Sequence, residues 1–197
     1  MSKFEDEITL KVRQNLGQYA ILTLEEINHF LSLCKYKTLK KGDFFSKENT
    51  ICNEIGFVLS GIFRSYYYSS EEEEITYCFV FQEHFITAYS SFITQDRTQE
   101  SIQAITDIEM LVISREAVAK IEQSSTNWLR FLKFLAEQEY IKLERRVFML
   151  QKEKAETRYK DLIENKPQFL QHIPLHYLAS YLGVTQRHLS RLRKEIT

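Results

Sequence analysis

Ile173-Pro-Leu-His-Tyr-Leu-Ala-Ser-Tyr-Leu-Gly-Val-Thr-Gln-Arg-His-Leu-Ser-Arg-Leu-Arg-Lys-Glu-Ile196 is the most legible stretch of a chain of 197 residues. Leu175, Leu178, Ala179 and Leu182 recur at three- and four-residue steps, which predicts a short helix with one buried face; Ala179 is small where a second helix must cross closely. Gly183 supplies the positive φ that ends such a helix in a tight turn, and Val184 plugs the angle between the two helices. Thr185 is a good N-cap for a second helix that buries Leu189, Leu192 and Ile196. Together these residues predict a helix-turn-helix.

The polar positions left on the second helix are Gln186, Arg187, His188, Ser190, Arg191, Arg193 and Lys194, opposed by one acid, Glu195. Arginine and glutamine suit bidentate reading of base edges in a major groove, and Thr185 with the amides of the helix start suits a phosphate. A basic exposed helix is by itself an ordinary solvated face. The apolar spacing with its glycine and cap, rather than the charge, is the warrant for a nucleic-acid contact.

The formal net charge of −1 conceals this segment. Residues 1–150 hold 17 Lys+Arg against 22 Asp+Glu, a net of −5, whereas residues 151–197 hold 9 against 5, a net of +4. An acidic body joined to a basic end points to two units with different partners, one of them a polyanion. With 44% hydrophobic, 27% charged and 13% aromatic residues the chain can bury a real core, which excludes disorder. No apolar run approaches the ~20 residues of a membrane span, and the opening Met1-Ser-Lys-Phe-Glu-Asp-Glu has no signal-peptide core, so a cytoplasmic protein without membrane contact is expected. Cys34, Cys52 and Cys78 are odd in number and widely spaced, which fits buried small hydrophobes rather than a disulfide framework or metal site. None of the five glycines forms a phosphate-binding loop.

Working toward the N-terminus, Leu132, Ala136, Tyr140, Leu143, Val147 and Leu150 follow one another at steps of four, four, three, four and three. That spacing keeps one helix face apolar for about five turns. Trp128, Phe131, Phe134, Leu135, Phe148 and Met149 fall outside this stripe, and a second apolar stripe needs a second partner, so helix-to-helix dimerisation is expected. A short helix opening at Ser114 is the other way to read the start of this region. From Tyr36 to Ile113 the period changes to short β-branched and aromatic runs, 56–68, 74–81, 102–105 and 109–113, which predict a small antiparallel sandwich or roll. The acidic run Ser69-Ser-Glu-Glu-Glu-Glu74 between two of them reads as a solvated hairpin tip. The first stretch, to about Leu33, is helical, with Leu24, Ile27 and Leu31 in step after a Thr23–Glu26 capping-box pattern. Pro167 and Pro174 bracket the entry to a compact C-terminal subdomain.

With these elements in place the sequence resembles the Crp/Fnr family of bacterial transcription regulators. The motifs that carry the resemblance are Ala155-Glu-Thr-Arg-Tyr159, Ile173-Pro-Leu, Leu178-Ala-Ser-Tyr-Leu-Gly183 and Leu189-Ser-Arg-Leu-Arg193. It implies an α+β fold: an antiparallel β-roll (a double-stranded β-helix like the cyclic-nucleotide-binding domain) with flanking helices, a long dimerisation helix and a small C-terminal helix-turn-helix domain. The implied divisions are a sensor domain over 1–118, a dimer helix over 119–150 and a DNA-binding domain over 151–197. By the same resemblance Gln186, Arg187 and Arg191 fall on the recognition-helix positions that read bases. The implied partners are double-stranded DNA with a near-palindromic operator, a second copy of the chain, and RNA polymerase. With the chain ending at Thr197, the β-hairpin wing usual in the family is expected to be absent or much reduced.

The ligand pocket departs from the cyclic-AMP-binding members. Their Phe-Gly-Glu segment is matched here by Phe85-Ile-Thr-Ala-Tyr-Ser-Ser-Phe92, with Thr87 and Ala88 in place of Gly and Glu, and Glu100-Ser101 stands where Arg-Ser would neutralise the phosphate. A carboxylate facing a phosphate is repulsive unless Arg97 swings in, so weak or no binding of cyclic AMP or cyclic GMP is expected. Thr87, Tyr89, Ser90, Ser91, Arg97, Glu100 and Ser101 are the candidate residues for another effector, and no cofactor is implied. Two alternatives remain beside the regulator: a small-molecule-binding or protein-interaction roll without DNA binding, and a cupin-like enzyme. The enzyme needs two or three histidines converging in the barrel, and His84 is the only histidine of the strand region; His29, His172, His176 and His188 lie elsewhere, and no nucleophile–base motif is visible.

Overall fold

A computed structural model describes residues 3–196 of the protein. Met1 and Ser2, which open the sequence, and Thr197, on which the expectation of a reduced wing rests, lie outside the described residues. Helix α1 (Lys3–Gly17) and helix α2 (Leu24–Leu33) form the N-terminal helical stretch. The capping box is present: the Glu26 amide donates to Thr23 Oγ1 at 3.2 Å and the Thr23 amide to Glu26 Oε2 at 2.8 Å. Leu24, which the spacing places on the buried face, is exposed, and Phe30 takes its place beside Ile27. Leu24 is the first residue after the Thr23 cap.

Strands β1 (Lys35–Leu39), β2 (Phe44–Ser46), β3 (Glu54–Ser60), β4 (Phe63–Tyr68), β5 (Glu74–Val80) and β6 (Phe85–Ile86) follow. Then come the short helix α3 (Tyr89–Thr94) and strands β7 (Ser101–Ala104) and β8 (Ile108–Ser114). They make two four-stranded sheets, in the orders β1-β8-β3-β6 and β2-β7-β4-β5. The recorded pairings are antiparallel, as in Phe57 opposite Leu111 and Tyr36 opposite Leu111 from the other side. This is the antiparallel β-roll of the expected α+β fold. Successive residues of a strand face opposite ways, and β3 uses both faces. Val58 enters one apolar cluster with Phe63, Ile86, Ile102, Ala104, Ile108, Met110 and Val112, inside the roll. Phe57 and Leu59 enter a second with Val12, Leu16, Ile27, Phe30, Trp128 and Phe131, where the helices cover the sheet. Fully burying a side chain such as Phe131 is worth roughly 1.5–3 kcal/mol. The β3–β4 turn needs Gly61, whose φ is +94° and where an added Cβ would stand 2.3 Å from the Asp107 carbonyl.

After β8, helix α4 (Arg115–Ser124) is capped by Ser114, whose hydroxyl accepts from the Ala117 amide. A break at Ser125 precedes the long helix α5 (Thr126–Lys152), so residues 119–125 belong to α4 and the break rather than to the long helix. Helices α6 (Ala155–Asn165), α7 (Pro167–His172), α8 (Leu175–Leu182) and α9 (Gln186–Ile196) complete the chain, with Pro167 in the first turn of α7. The chain divides into two compact units, 1–65 with 79–136, and 66–78 with 137–197. Of the cysteines only Cys52 is buried; Cys34 and Cys78 are half-buried, which corrects the expectation for these two. Burial still pushes the Cys34 thiol up to about 12.

Candidate nucleic-acid interface

The α8–α9 pair is built as its spacing predicts. Leu178, Ala179 and Leu182 of α8 and Leu189 and Leu192 of α9 are buried; Leu175 and Ile196 are only partly so, as expected for residues at helix ends. Gly183 closes α8 in the left-handed region (φ 65°, ψ 39°). Thr185 Oγ1 accepts from the His188 amide at 3.2 Å, the N-cap bond of α9.

The last four carbonyls of a helix have no partner within it. Here each has one from outside. The Gly183 amide donates to Ser180 O and the Val184 amide to Ala179 O, at 3.1 and 3.0 Å. Arg146 Nη2 donates to Tyr181 O at 2.8 Å, and Arg158 Nε to Leu182 O at 2.9 Å. Arg158 also donates to the Glu153 carbonyl. Two guanidinium groups thus close the negative end of the α8 dipole and fix the turn that aims α9. The Arg146 guanidinium lies 3.9 Å from the Tyr181 ring centre; burial pulls its pKa down, and the neighbouring Tyr181 and Cys78 oppose that. Tyr181 is itself buried against Phe169 and receives Lys166 Nζ on its hydroxyl at 3.0 Å. Arg146 does not stand out in the sequence, because an arginine in a long helix carries no positional signal.

Outside this buried seam, Thr185, Gln186, Arg187, Arg191, Arg193 and Lys194 are exposed, and His188 and Ser190 are half-exposed. Arg191 reaches Glu195 at 3.7 Å, one turn on, with both groups well exposed. Such a pair contributes little to stability. The face can therefore engage an anion without first breaking a buried interaction.

Helix α5 has two different halves. Trp128 and Phe131 are buried in the roll-side core, and Leu132 and Leu135 pack against it half-buried. Ala136 is half-buried too. Further on, Tyr140 is 65% exposed, Leu143 54% and Phe148 57%, with Val147 and Leu150 also open to solvent. Leu150 at the same time stands beside Gly183, 3.4 Å from where a Cβ would be.

Four of the candidate effector residues, Thr87, Ser91, Arg97 and Ser101, are engaged with backbone groups of their own neighbourhood. Thr87 Oγ1 donates to Glu54 O at 3.0 Å and lies 3.3 Å from Cys52 Sγ. Ser91 Oγ donates to Asp96 O at 2.6 Å and accepts from the Cys52 amide at 3.0 Å. Ser101 Oγ accepts from the Glu48 amide, and Arg97 Nη1 donates to Asn49 O at 2.6 Å rather than turning inward. Tyr89 and Ser90 are exposed on α3, and Glu100 is half-buried. A cavity of about 110 Å³ lies elsewhere, lined by Glu7, Ile8, Lys11, Leu59, Ser60 and Glu109. His84 is exposed with Nδ1 2.9 Å from Gln82 O, and among the described residues no three His, Cys, Asp or Glu side chains are grouped to hold a metal. Nor is any described helix long and apolar enough to cross a membrane.

Residues 36–125 match the family profile described as the cyclic nucleotide-binding domain. No curated protein sequence matches the chain. Among solved structures the chain is similar to FixK2 from Bradyrhizobium japonicum, at 17% identity and a TM-score of 0.73 over 83% of this chain and 84% of that one. It is similar to the c-di-GMP-responsive global regulator CLP of Xanthomonas campestris, at 17% identity and 0.71 over 88% and 91%. It is also similar to a transcriptional regulator of the Crp/Fnr family from Eubacterium rectale, at 18% identity and 0.70 over 92% and 87%. The roll over residues 36–125 thus matches the cyclic nucleotide-binding domain profile, and the chain as a whole shares the fold of the Crp/Fnr transcriptional regulators.

Proposed function

We propose that the protein is a DNA-binding transcriptional regulator whose helix pair α8–α9 is a helix-turn-helix. The carrying observation is the division of α9 into a buried side, Leu189 and Leu192, and an exposed side bearing Gln186, Arg187, Arg191, Arg193 and Lys194. Gln186, Arg187 and Arg191 read bases, while Thr185, His188, Ser190, Arg193 and Lys194 hold the backbone. Two copies joined along α5, through Leu132, Ala136, Tyr140, Leu143, Val147 and Leu150, set two recognition helices about 34 Å apart in successive major grooves of a near-palindromic site. The open apolar half of α5 supports this second-copy reading. The similar proteins CLP and the Eubacterium rectale one are regulators, which supports this reading over an enzyme. RNA polymerase is the further partner that the resemblance implies.

Selection of bound duplexes from a random pool tests all of this together. A recovered pair of half-sites related by two-fold symmetry is the expected result, with affinity falling steeply as salt rises. A pool without enrichment rejects the DNA reading in favour of a protein-interaction roll.

By the family resemblance Glu100 falls where the phosphate would be neutralised, and Arg97 is turned to the Asn49 carbonyl, so the same roll does not hold a cyclic nucleotide tightly. Titration calorimetry with cyclic AMP and cyclic GMP is expected to give no saturable heat at micromolar ligand. A micromolar dissociation constant overturns it.

A further inference from the structure

Strand β5 is the outer strand of its sheet, in the order β2-β7-β4-β5, so among the described residues one row of its backbone N–H and C=O groups faces no further strand. Open edges of this kind recruit other strands unless they are covered. The groups in question at Glu74 and Thr76 are two residues apart, as the groups of one strand edge must be. Both are taken by side chains of the C-terminal helices. Ser180 Oγ, on α8, donates to Glu74 O at 2.9 Å and accepts from the Thr76 amide at 2.8 Å. Arg146 Nη2, on α5, donates to Thr76 O at 3.1 Å and to Tyr181 O at 2.8 Å. One serine hydroxyl thus reproduces the donor and acceptor of a missing strand, and one guanidinium nitrogen ties that strand to the end of α8. Thr76 is fully buried at this junction. Hairpin residues 66–78 form one compact unit with residues 137–197, although β4 and β5 begin and end in the roll.

We propose that Ser180 and Arg146 latch the open edge of β5 to helix α8, so that the hairpin fixes the pose in which the helix pair presents α9. A fixed pose matters for a two-fold site: two recognition helices held rigidly at one separation discriminate half-site spacing, whereas loosely held ones lose orientational entropy on binding and accept several spacings. Ser180 and Arg146 are positioning residues, and neither touches DNA in this scheme. The effect on spacing rests on the DNA-binding reading above; the latch itself does not.

Two measurements on the full chain separate these. The first is amide hydrogen exchange without DNA. Ser180→Ala is expected to raise exchange at the Thr76 amide about tenfold, the loss of a side-chain hydrogen-bond pair, while the Leu189 amide of α9 stays protected and so shows that the helix pair is folded. Ser180→Thr, which keeps the hydroxyl, restores protection. Unchanged exchange at Thr76 in Ser180→Ala rejects the latch whether or not the protein binds DNA. The second measures binding to duplexes whose half-sites are one base pair closer or farther apart than in the selected site. Wild type is expected to prefer one spacing, and Ser180→Ala to lose that preference by roughly tenfold with its base preference within each half-site intact. A Ser180→Ala chain that keeps the wild-type spacing preference, or that binds every duplex more tightly, overturns the positioning role.

Discussion

Helix α9 and the loop-and-helix segment 87–101 are both rich in polar side chains, yet they dispose of them in opposite ways. In α9 the backbone is satisfied by the helix itself, so Gln186, Arg187, Arg191 and Lys194 are left to solvent and to a partner. In 87–101 the chain is irregular on either side of the short helix α3, and Thr87, Ser91, Arg97 and Ser101 are drawn into hydrogen bonds with backbone groups left without a partner in a strand or helix. A long helix satisfies its own backbone and frees its side chains for recognition; a short helix flanked by loops uses side chains to hold the shape of the segment. Polarity alone does not mark a site.

This contrast can be broken at several points. The largest effect is expected from Leu143→Glu with Val147→Glu on the open half of α5. Separating the proposed dimer removes one of two half-site contacts, and specific DNA binding should weaken more than a hundredfold with the thermal midpoint nearly unchanged, read by fluorescence anisotropy and sedimentation. A variant that remains dimeric would place the interface elsewhere. Next, Arg187→Ala or Arg191→Ala should cost roughly 1–3 kcal/mol of binding and relax one position in each half-site, again without loss of stability. Equal weakening on every sequence would assign these arginines to phosphate.

The opposite signature is expected in the roll. Ser91→Ala removes a buried hydroxyl that serves both the Asp96 carbonyl and the Cys52 amide, and should cost about 1–3 kcal/mol in urea unfolding while leaving DNA affinity at the wild-type value. A smaller effect of the same kind belongs to Glu26, whose carboxylate accepts from the Thr23 amide, Ser125 and Asn127. Desolvation pushes its pKa up, but these hydrogen bonds outweigh it and hold the group below its ordinary value. A depressed pKa means stability that is fully present at neutral pH and lost as pH falls through the folded-state value, below the usual carboxylate range. Glu26→Gln should therefore lower the urea midpoint slightly at pH 7 and flatten that acid decline. An unchanged acid limb would assign the decline to other carboxylates.

Much of this molecule is legible in order of how local its determinants are. The Thr23–Glu26 box, the Ser114 cap, the runs that become β3, β4, β5 and β8, and the Gly183 turn each depend on residues within one or two turns of chain. The hairpin tip at Ser69–Glu74 is legible for the same reason: Ser69 accepts from the Glu71 and Glu73 amides, and residues 70–74 are exposed. Less is visible where partners are distant. The apolar residues on α5 show that two faces need covering, but not that Trp128 and Phe131 serve the core while Tyr140 and Leu143 stay open.

The sequence by itself determined the α8–α9 pair, because periodicity, a positive-φ glycine and a capping threonine are properties of neighbouring residues and survive any tertiary context that leaves one face buried. Only the tertiary structure decided that Ser180 and Arg146 close the edge of β5, and that Thr87, Arg97 and Ser101 are already engaged. Those partners are separated by many residues of chain: Ser180 meets Thr76 and Arg97 meets Asn49. A serine or arginine side chain carries the same donors and acceptors wherever it stands, so which carbonyl it meets is set by how the strands and helices pack around it.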